Sequence, residues 1–112
     1  MGRGSCEATS AQDTVKHPVG YRPEAFADIA EAFLWYEAQR PGLGDEFEQA
    51  VGSTVGFVSS MPEAAPVAVG RLRRALIQRF PFAIYYTIEP SSVEIRGVLH
   101  TSRDPGEWLR RV

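Results

Sequence analysis

The feature that most constrains this fold is a change in the spacing of apolar residues along the chain. Up to Met61 they recur every three or four positions in two segments, and from Leu72 onward they follow a two-residue alternation in three shorter segments. The first spacing is typical of amphipathic helices and the second of half-buried strands. The sequence therefore predicts two helices followed by three strands.

The first helix is predicted to begin at Pro23, where the missing backbone N–H is one that a helix leaves unpaired anyway. It should end at Arg40-Pro41-Gly42, because proline and glycine both interrupt helices. Its predicted buried stripe consists of Phe26, Ile29, Phe33 and Tyr36.

The second helix is predicted to begin at Asp45, which stands three residues before Glu48 at the spacing of a capping box. Its interior contains Gly52 and Gly56, each of which costs a helix about 1 kcal/mol relative to alanine. Two glycines four positions apart predict the close approach of another helix or of the sheet. The short link between the helices predicts an antiparallel hairpin.

Three strands are expected at residues 72–78, Phe82–Ile88 and Val93–His100, with a short first strand at Val19–Tyr21 and a proline-bearing loop at residues 63–70. Short links between consecutive strands indicate antiparallel pairing. Simple alternation in the last strand puts Val93, Ile95 and Leu99 on one face, and Glu94, Arg96, Val98 and His100 on the other. The predicted fold class is α+β, with order β-α-α-β-β-β and the helical hairpin packed on one face of an antiparallel sheet.

The chain has 112 residues, which is the size of one domain. We assign residues 18–112 to that domain and residues 1–17 to a polar leader with little to bury. Cys6 is the single cysteine, so an intramolecular disulfide is impossible and a zinc site is not expected. Without a signal peptide, an apolar membrane span or paired cysteines, the sequence favours the cytoplasm.

Charge is divided unevenly along the chain. Residues 1–70 carry four basic and ten acidic residues, a net charge of −6, whereas residues 71–112 carry eight arginines and four acidic residues, a net charge of +4. Arginine suits bidentate contact with phosphate or carboxylate groups. The split predicts an acidic half and a basic half with different partners.

Three segments, in this order, resemble the toxins of the RelE/ParE superfamily, which includes plasmid stabilisation proteins. The first is Ala27-Asp28-Ile29 through Trp35-Tyr36-Glu37 and on to Arg40-Pro41-Gly42-Leu43-Gly44-Asp45-Glu46-Phe47. The second is Arg79-Phe80-Pro81-Phe82-Ala83-Ile84-Tyr85-Tyr86. The third is Val98-Leu99-His100-Thr101-Ser102-Arg103-Asp104-Pro105, followed by Trp108 and Arg110.

The resemblance implies the toxin half of a bacterial type II toxin–antitoxin pair, inactive while a cognate antitoxin wraps it. It implies no cofactor and no metal ion. RelE-like members cut mRNA on the ribosome, whereas ParE-like members bind DNA gyrase and carry out no chemistry of their own. A third interpretation is a degenerate stabilisation protein that has the same fold and binds its antitoxin but is no longer toxic.

If the chain is a metal-independent mRNA endoribonuclease, the candidate catalytic residues are His100, Arg96 and Arg103. Cleavage needs a proton carrier and cations around the crowded phosphate, which a histidine and arginines supply. The strand pattern predicts that His100 and Arg96 lie on the same side. Against this reading, Ala83 stands where RelE-type nucleases tend to carry an arginine, and an acidic chain suits ribosome binding poorly. The ParE-like reading is therefore preferred.

The antitoxin is expected to present an amphipathic, largely acidic segment to the arginine-bearing side of the sheet and to the helical hairpin. The candidate residues for this contact are Arg73 and Arg74 on the first of the three strands and Trp35 and Tyr36 on the first helix.

Overall fold

The structure, a computed structural model, describes residues 17–102. In chain order they form β1 (Val19–Tyr21), α1 (Pro23–Gln39), α2 (Leu43–Ser60), β2 (Val67–Val69), β3 (Leu72–Leu76), β4 (Phe82–Ile88) and β5 (Val93–His100). The two helices pack against one sheet, so the predicted α+β class and helical hairpin are confirmed. In this part of the chain no helix is both long and apolar enough to span a membrane.

The sheet has the strand order β1-β5-β4-β3-β2. The four strands that follow the hairpin pair with one another in antiparallel orientation, whereas β1 lies parallel to β5, with Val19 opposite Val93. The sheet is therefore mixed, and the chain forms both helices and the strands β2, β3 and β4 before β5 pairs with β1.

The strand β2 lies in the segment that the sequence predicted to be a loop. Val67 pairs with Arg73, and the Arg74 N–H donates to the carbonyl of Pro66 at 3.0 Å. Gly70 turns the chain back with a φ of +55°, which glycine adopts without steric cost. The proline does not prevent pairing here, because its carbonyl accepts and no N–H is needed from it.

The buried face of α1 agrees with the predicted stripe at Ile29 and Tyr36, which both pack in the main core. Ala25 and Ala32 are also buried, whereas Phe26 is 60% exposed and stacks on Tyr21 with ring centroids 5.0 Å apart. The prediction is therefore wrong at Phe26, whose place on the inner face is taken by Ala25.

The start of α2 is held by a residue of α1. The carboxylate of Glu37 accepts the N–H groups of Gly42 and Gly44, each at 2.9 Å. Gly42 precedes the helix with a φ of +90°. Asp45 lies inside the first turn and makes no capping hydrogen bond, so the predicted capping box is wrong. Helix-start N–H groups need an acceptor, and here tertiary contact supplies it.

The main core lies between the hairpin and the sheet and is rich in aromatic rings. Tyr36 packs against Phe47, Phe80 and Phe82 with centroid distances of 5.3, 5.0 and 6.0 Å. A smaller cluster on the opposite face of the sheet contains Leu72, Ala83, Tyr85 and Leu99.

A β-bulge in β5 changes the side of the sheet to which its later side chains point. Tyr86 pairs with Ile95 while the adjacent Tyr85 pairs with Gly97, so one extra residue stands in β5. An extra residue reverses the direction of every later side chain. Val98 accordingly packs in the main core and Leu99 in the opposite cluster, so the faces predicted for the end of this strand are wrong.

His17, which the sequence assigns to the end of the leader, is bonded to the last turns of α2. Its N–H donates to the carbonyl of Ser59 at 3.0 Å, and the Ser59 hydroxyl donates to the carbonyl of His17 at 2.7 Å. The rest of the predicted leader, including Cys6, lies outside the described residues.

Candidate functional site

A groove of about 470 Å³ separates α1 from the start of β4 and the end of β5. We call it the α1 groove. One wall is formed by Asp28, Glu31, Ala32, Trp35 and Tyr36, and the other by Pro81, Phe82, Val98, Leu99 and His100. It therefore brings together Trp35, Tyr36 and His100, three of the residues that the sequence singled out.

A row of aromatic rings forms the floor of the α1 groove. Trp35 meets Tyr36 edge-on at 5.1 Å, and Phe82 lies between Tyr36 and His100. Trp35 is 59% exposed, whereas Tyr36 is 8% exposed. Burial raises the pKa of Tyr36, so its hydroxyl stays protonated at neutral pH. Of the two predicted antitoxin contacts on α1, Trp35 is accessible and Tyr36 belongs mainly to the core.

Asp28 fixes the position of α1 against the sheet. Its Oδ2 accepts the backbone N–H of Val98 at 3.0 Å. The pairing of β1 with β5 stops at Ile95. Beyond that point β1 offers no acceptor to the Val98 N–H, and the Asp28 carboxylate takes that place. Sequence reasoning missed this contact, because 70 residues separate the two partners and no local pattern links them.

His100 lies exposed at the end of β5. Its Nδ1 accepts the backbone N–H of Ser102 at 3.1 Å, and the Ser102 hydroxyl is 2.9 Å from the same nitrogen. A ring nitrogen that accepts an N–H carries no proton, so the neutral imidazole holds its proton on Nε2. The local turn thus fixes the tautomer of His100.

Arg96 lies on the opposite face of the sheet from His100, because the β-bulge follows it directly. The predicted placement of the two residues on one side is therefore wrong. Arg96 donates from Nε to the Thr87 hydroxyl at 3.1 Å and from Nη2 to Glu89 at 3.4 Å. Arg103, the third nuclease candidate, lies outside the described residues.

Glu89 is the centre of the cluster that holds Arg96. It accepts the Thr87 hydroxyl at 2.8 Å and Arg71 Nη2 at 3.0 Å. The hydrogen bond from Thr87 is the main cause that lowers the pKa of Glu89, and the hydrogen bond from Arg71 and the positive charges of Arg71 and Arg96 lower it further. These contacts join β3, β4 and β5 beside the β4–β5 turn, which gives Arg96 a structural role.

Arg73 and Arg74 point to opposite faces of the sheet. Arg73 pairs with Tyr86 of the main core, and Arg74 pairs with Tyr85 of the opposite cluster. Arg73 Nη1 donates to the carbonyls of Ala65 at 2.7 Å and Glu63 at 3.2 Å. Arg73 thus anchors the loop after α2. Arg74 lies on the face of the sheet opposite the main core, which we call the open face.

The chemistry of the α1 groove suits a protein segment better than a phosphate backbone. Its lining in the described part of the chain includes two carboxylates, Asp28 and Glu31, and neither lysine nor arginine. Nucleic-acid backbones are bound through basic side chains that neutralise phosphates. Exposed aromatic surface such as that of Trp35 is instead characteristic of protein–protein interfaces.

Comparison with known proteins gives matches at the levels of family and fold. The family model described as the ParE toxin of the type II toxin–antitoxin system parDE matches residues 19–105. Among the solved structures that match is a chain of the chromosomal ParDE toxin–antitoxin system from P. aeruginosa. It is 16% identical, with a TM-score of 0.59, and the match covers 76% of this chain and 96% of that one. Curated protein sequences gave no match.

Proposed function

Because the chain belongs to the ParE toxin family, we propose that it is the toxin of a bacterial type II toxin–antitoxin pair. In this proposal it acts in the cytoplasm, is neutralised by a cognate antitoxin, and inhibits growth by binding DNA gyrase. The observation that carries the proposal is the family match, which spans both helices and all five strands.

The geometry of the described residues supports binding over RNA cleavage. Metal-free cleavage requires a proton carrier and a cation at the same phosphate. His100 and Arg96 lie on opposite faces of the sheet, and Arg96 is engaged with Thr87 and Glu89. Ala83 is fully buried in the smaller cluster, so its position offers no cationic side chain to a substrate.

The residues that contact the antitoxin are taken to be the accessible members of the four predicted from the sequence. We propose that Trp35 in the α1 groove and Arg74 on the open face are the contact residues. Tyr36 and Arg73 act indirectly, because Tyr36 supports Trp35 edge-on and Arg73 holds the loop carbonyls.

Inducible expression of the chain alone in a bacterial host, with pulse labels for DNA and protein synthesis, tests the target. We expect DNA synthesis to stop first and cells to filament. The variant His100→Ala should remain toxic, since His100 has no catalytic part in a binding toxin. A matched control is Ser102→Ala, which removes the hydroxyl beside the imidazole and keeps the ring.

The opposite result would be collapse of protein synthesis within minutes, cleavage of mRNA at codons, and loss of toxicity in His100→Ala. That outcome would replace the gyrase proposal with the endonuclease reading. If the chain is well expressed and folded but growth is unaffected, the protein has retained the fold and lost the toxicity.

A further inference from the structure

A second groove, of about 530 Å³, lies on the other side of the molecule between α2 and the end of β3. We call it the α2 groove. Its helix wall includes Ala50, Ser53 and Phe57, and its other wall is formed by Leu76, Gln78 and Arg79. The small side chains Ala50 and Ser53 leave the space open, and Phe57 remains 43% exposed beside it.

Arg79 has a backbone conformation that favours glycine. Its φ is +72°, and it is the one non-glycine residue with a positive φ in the described part of the chain. An L-residue in this region crowds its Cβ against its own backbone. Strained residues of this kind cluster at binding and catalytic sites, where the side chain has a use that compensates for the strain.

No partner among residues 17–102 explains the arginine side chain. Within residues 17–102 the guanidinium of Arg79 makes neither a hydrogen bond nor an ion pair, whereas those of Arg71, Arg73 and Arg96 are all engaged. Arg79 is exposed at the mouth of the α2 groove. It is also the one charged side chain among the described lining residues, so the groove is positive as well as partly apolar.

The two glycines of α2, Gly52 and Gly56, are not among the residues that line the α2 groove. Gly52 is exposed and Gly56 is half-buried. No described atom outside the helix's own neighbourhood lies within 4 Å of the position that a Cβ would occupy at either one. The predicted close approach of this chain's own sheet or other helix is therefore wrong.

We propose that the α2 groove receives an acidic segment of the antitoxin, which presents a carboxylate to Arg79 and an apolar side chain to Phe57. Charge complementarity selects this occupant, because an acidic segment matches the single positive charge of the groove. Arginine suits a carboxylate through its planar fork of donors. The assignment rests on the proposed function for the existence of an antitoxin, but it concerns a surface separate from the α1 groove.

The test is isothermal titration of the purified full chain with the protein encoded by the open reading frame beside its gene. Arg79→Gly removes the charge and relaxes the backbone at the same time. We expect it to weaken the complex at least about tenfold, while the Tm of the isolated chain stays unchanged or rises by up to about 5 °C. Arg79→Lys should recover part of the affinity. Arg40→Gln, an exposed arginine outside both grooves, should change it by less than about twofold.

Gly56→Ala provides a control variant on α2 outside the groove. It should raise the Tm of the isolated chain, because alanine favours the helix, and leave the affinity of the complex nearly unchanged, because Gly56 does not line the α2 groove. Phe57→Ser should weaken the complex without the gain in Tm.

Two outcomes would count against the proposal in different ways. If the complex forms and both Arg79→Gly and Phe57→Ser bind as the wild type does, the α2 groove is not the contact, although the toxin–antitoxin assignment stands. If the wild-type chain forms no complex with the neighbouring protein, the antitoxin proposal fails and this assignment fails with it.

Discussion

Glu89 is the residue whose charge state most clearly affects the sheet. Its carboxylate joins Thr87, Arg71 and Arg96, and the hydrogen bond from Thr87 is the main cause of its lowered pKa. A carboxyl whose pKa is lower in the folded state stabilises the fold above its unfolded pKa. That contribution is lost as the pH falls through the folded pKa.

The variant Glu89→Gln should therefore lower the Tm at pH 7, and its difference from the wild type should shrink as the pH falls through the folded pKa of Glu89, where the wild-type carboxyl becomes protonated in the folded state as well. Thermal unfolding followed by circular dichroism from pH 3 to pH 8 measures the difference. Glu48→Gln, an exposed acid on α2, serves as the control. A gap between wild type and Glu89→Gln that stayed constant across this range would show that the charge is irrelevant.

Single residues also show which features could be predicted from local sequence and which could not. Trp35 and His100 could be named from the sequence because their side-chain chemistry is distinctive. Asp28 could not, because its function depends on a backbone N–H that lies 70 residues away. Arg79 belongs to a recognisable motif, but its positive φ is a property of the folded turn.

The connection between the two helices is held by a carboxylate of α1. Glu37 of α1 accepts the N–H groups of Gly42 and Gly44, which would otherwise be left without acceptors at the start of α2. Gly44 itself is packed tightly, since a Cβ there would lie 2.8 Å from the ring of Phe33. The connection is therefore fixed by tertiary contact more than by the propensity of its own residues.

Glu37→Ala should destabilise the chain by about 1–3 kcal/mol, because two backbone donors lose their acceptor. Urea unfolding gives the free energy, and Glu37→Gln, which keeps one acceptor oxygen, should lose less. The same experiment on Asp45→Ala should show a smaller loss than Glu37→Ala. Equal losses for Asp45→Ala and Glu37→Ala would restore the capping role that the sequence suggested for Asp45.

Among the elements, α1, α2, β4 and β5 were predicted with bounds close to those observed. The strand β2 was missed because it is three residues long, follows a proline, and pairs only because β3 turns back beside it. The parallel pairing of β1 with β5 was also missed, since short links indicate only the antiparallel pairs.

At the scale of the whole molecule, the proposed antitoxin contacts lie on different faces. Trp35 lines the α1 groove, and Arg74 points away from the main core. An antitoxin that contacts both must wrap around the domain. The division of charge along the chain, −6 before residue 71 and +4 from there on, is consistent with contacts of different chemistry on the two sides.

Trp35→Ala and Arg74→Glu should each weaken the antitoxin complex, by about tenfold or more for the exposed tryptophan. Because Trp35 lies on the helix side of the sheet and Arg74 on the opposite face, their free-energy changes should add within about 0.5 kcal/mol in the double variant. Titration calorimetry with the neighbouring open reading frame's product measures all three. A double variant no weaker than one of the single variants would indicate one continuous contact instead of a wrapped partner.

The sequence by itself determined the order of the two helices and of every described strand except β2, the hairpin at Arg40-Pro41-Gly42 and the resemblance to the ParE family. Each of these rests on residue spacing and turn chemistry, which are local properties of the chain. Only the tertiary structure decided that His100 and Arg96 lie on opposite faces. The reason is the β-bulge in β5, which arises from pairing with β4 and reverses every later side chain. The alternation of apolar and polar residues along one strand does not reveal that extra residue. The arrangement of the candidate site could therefore be obtained only from the folded sheet.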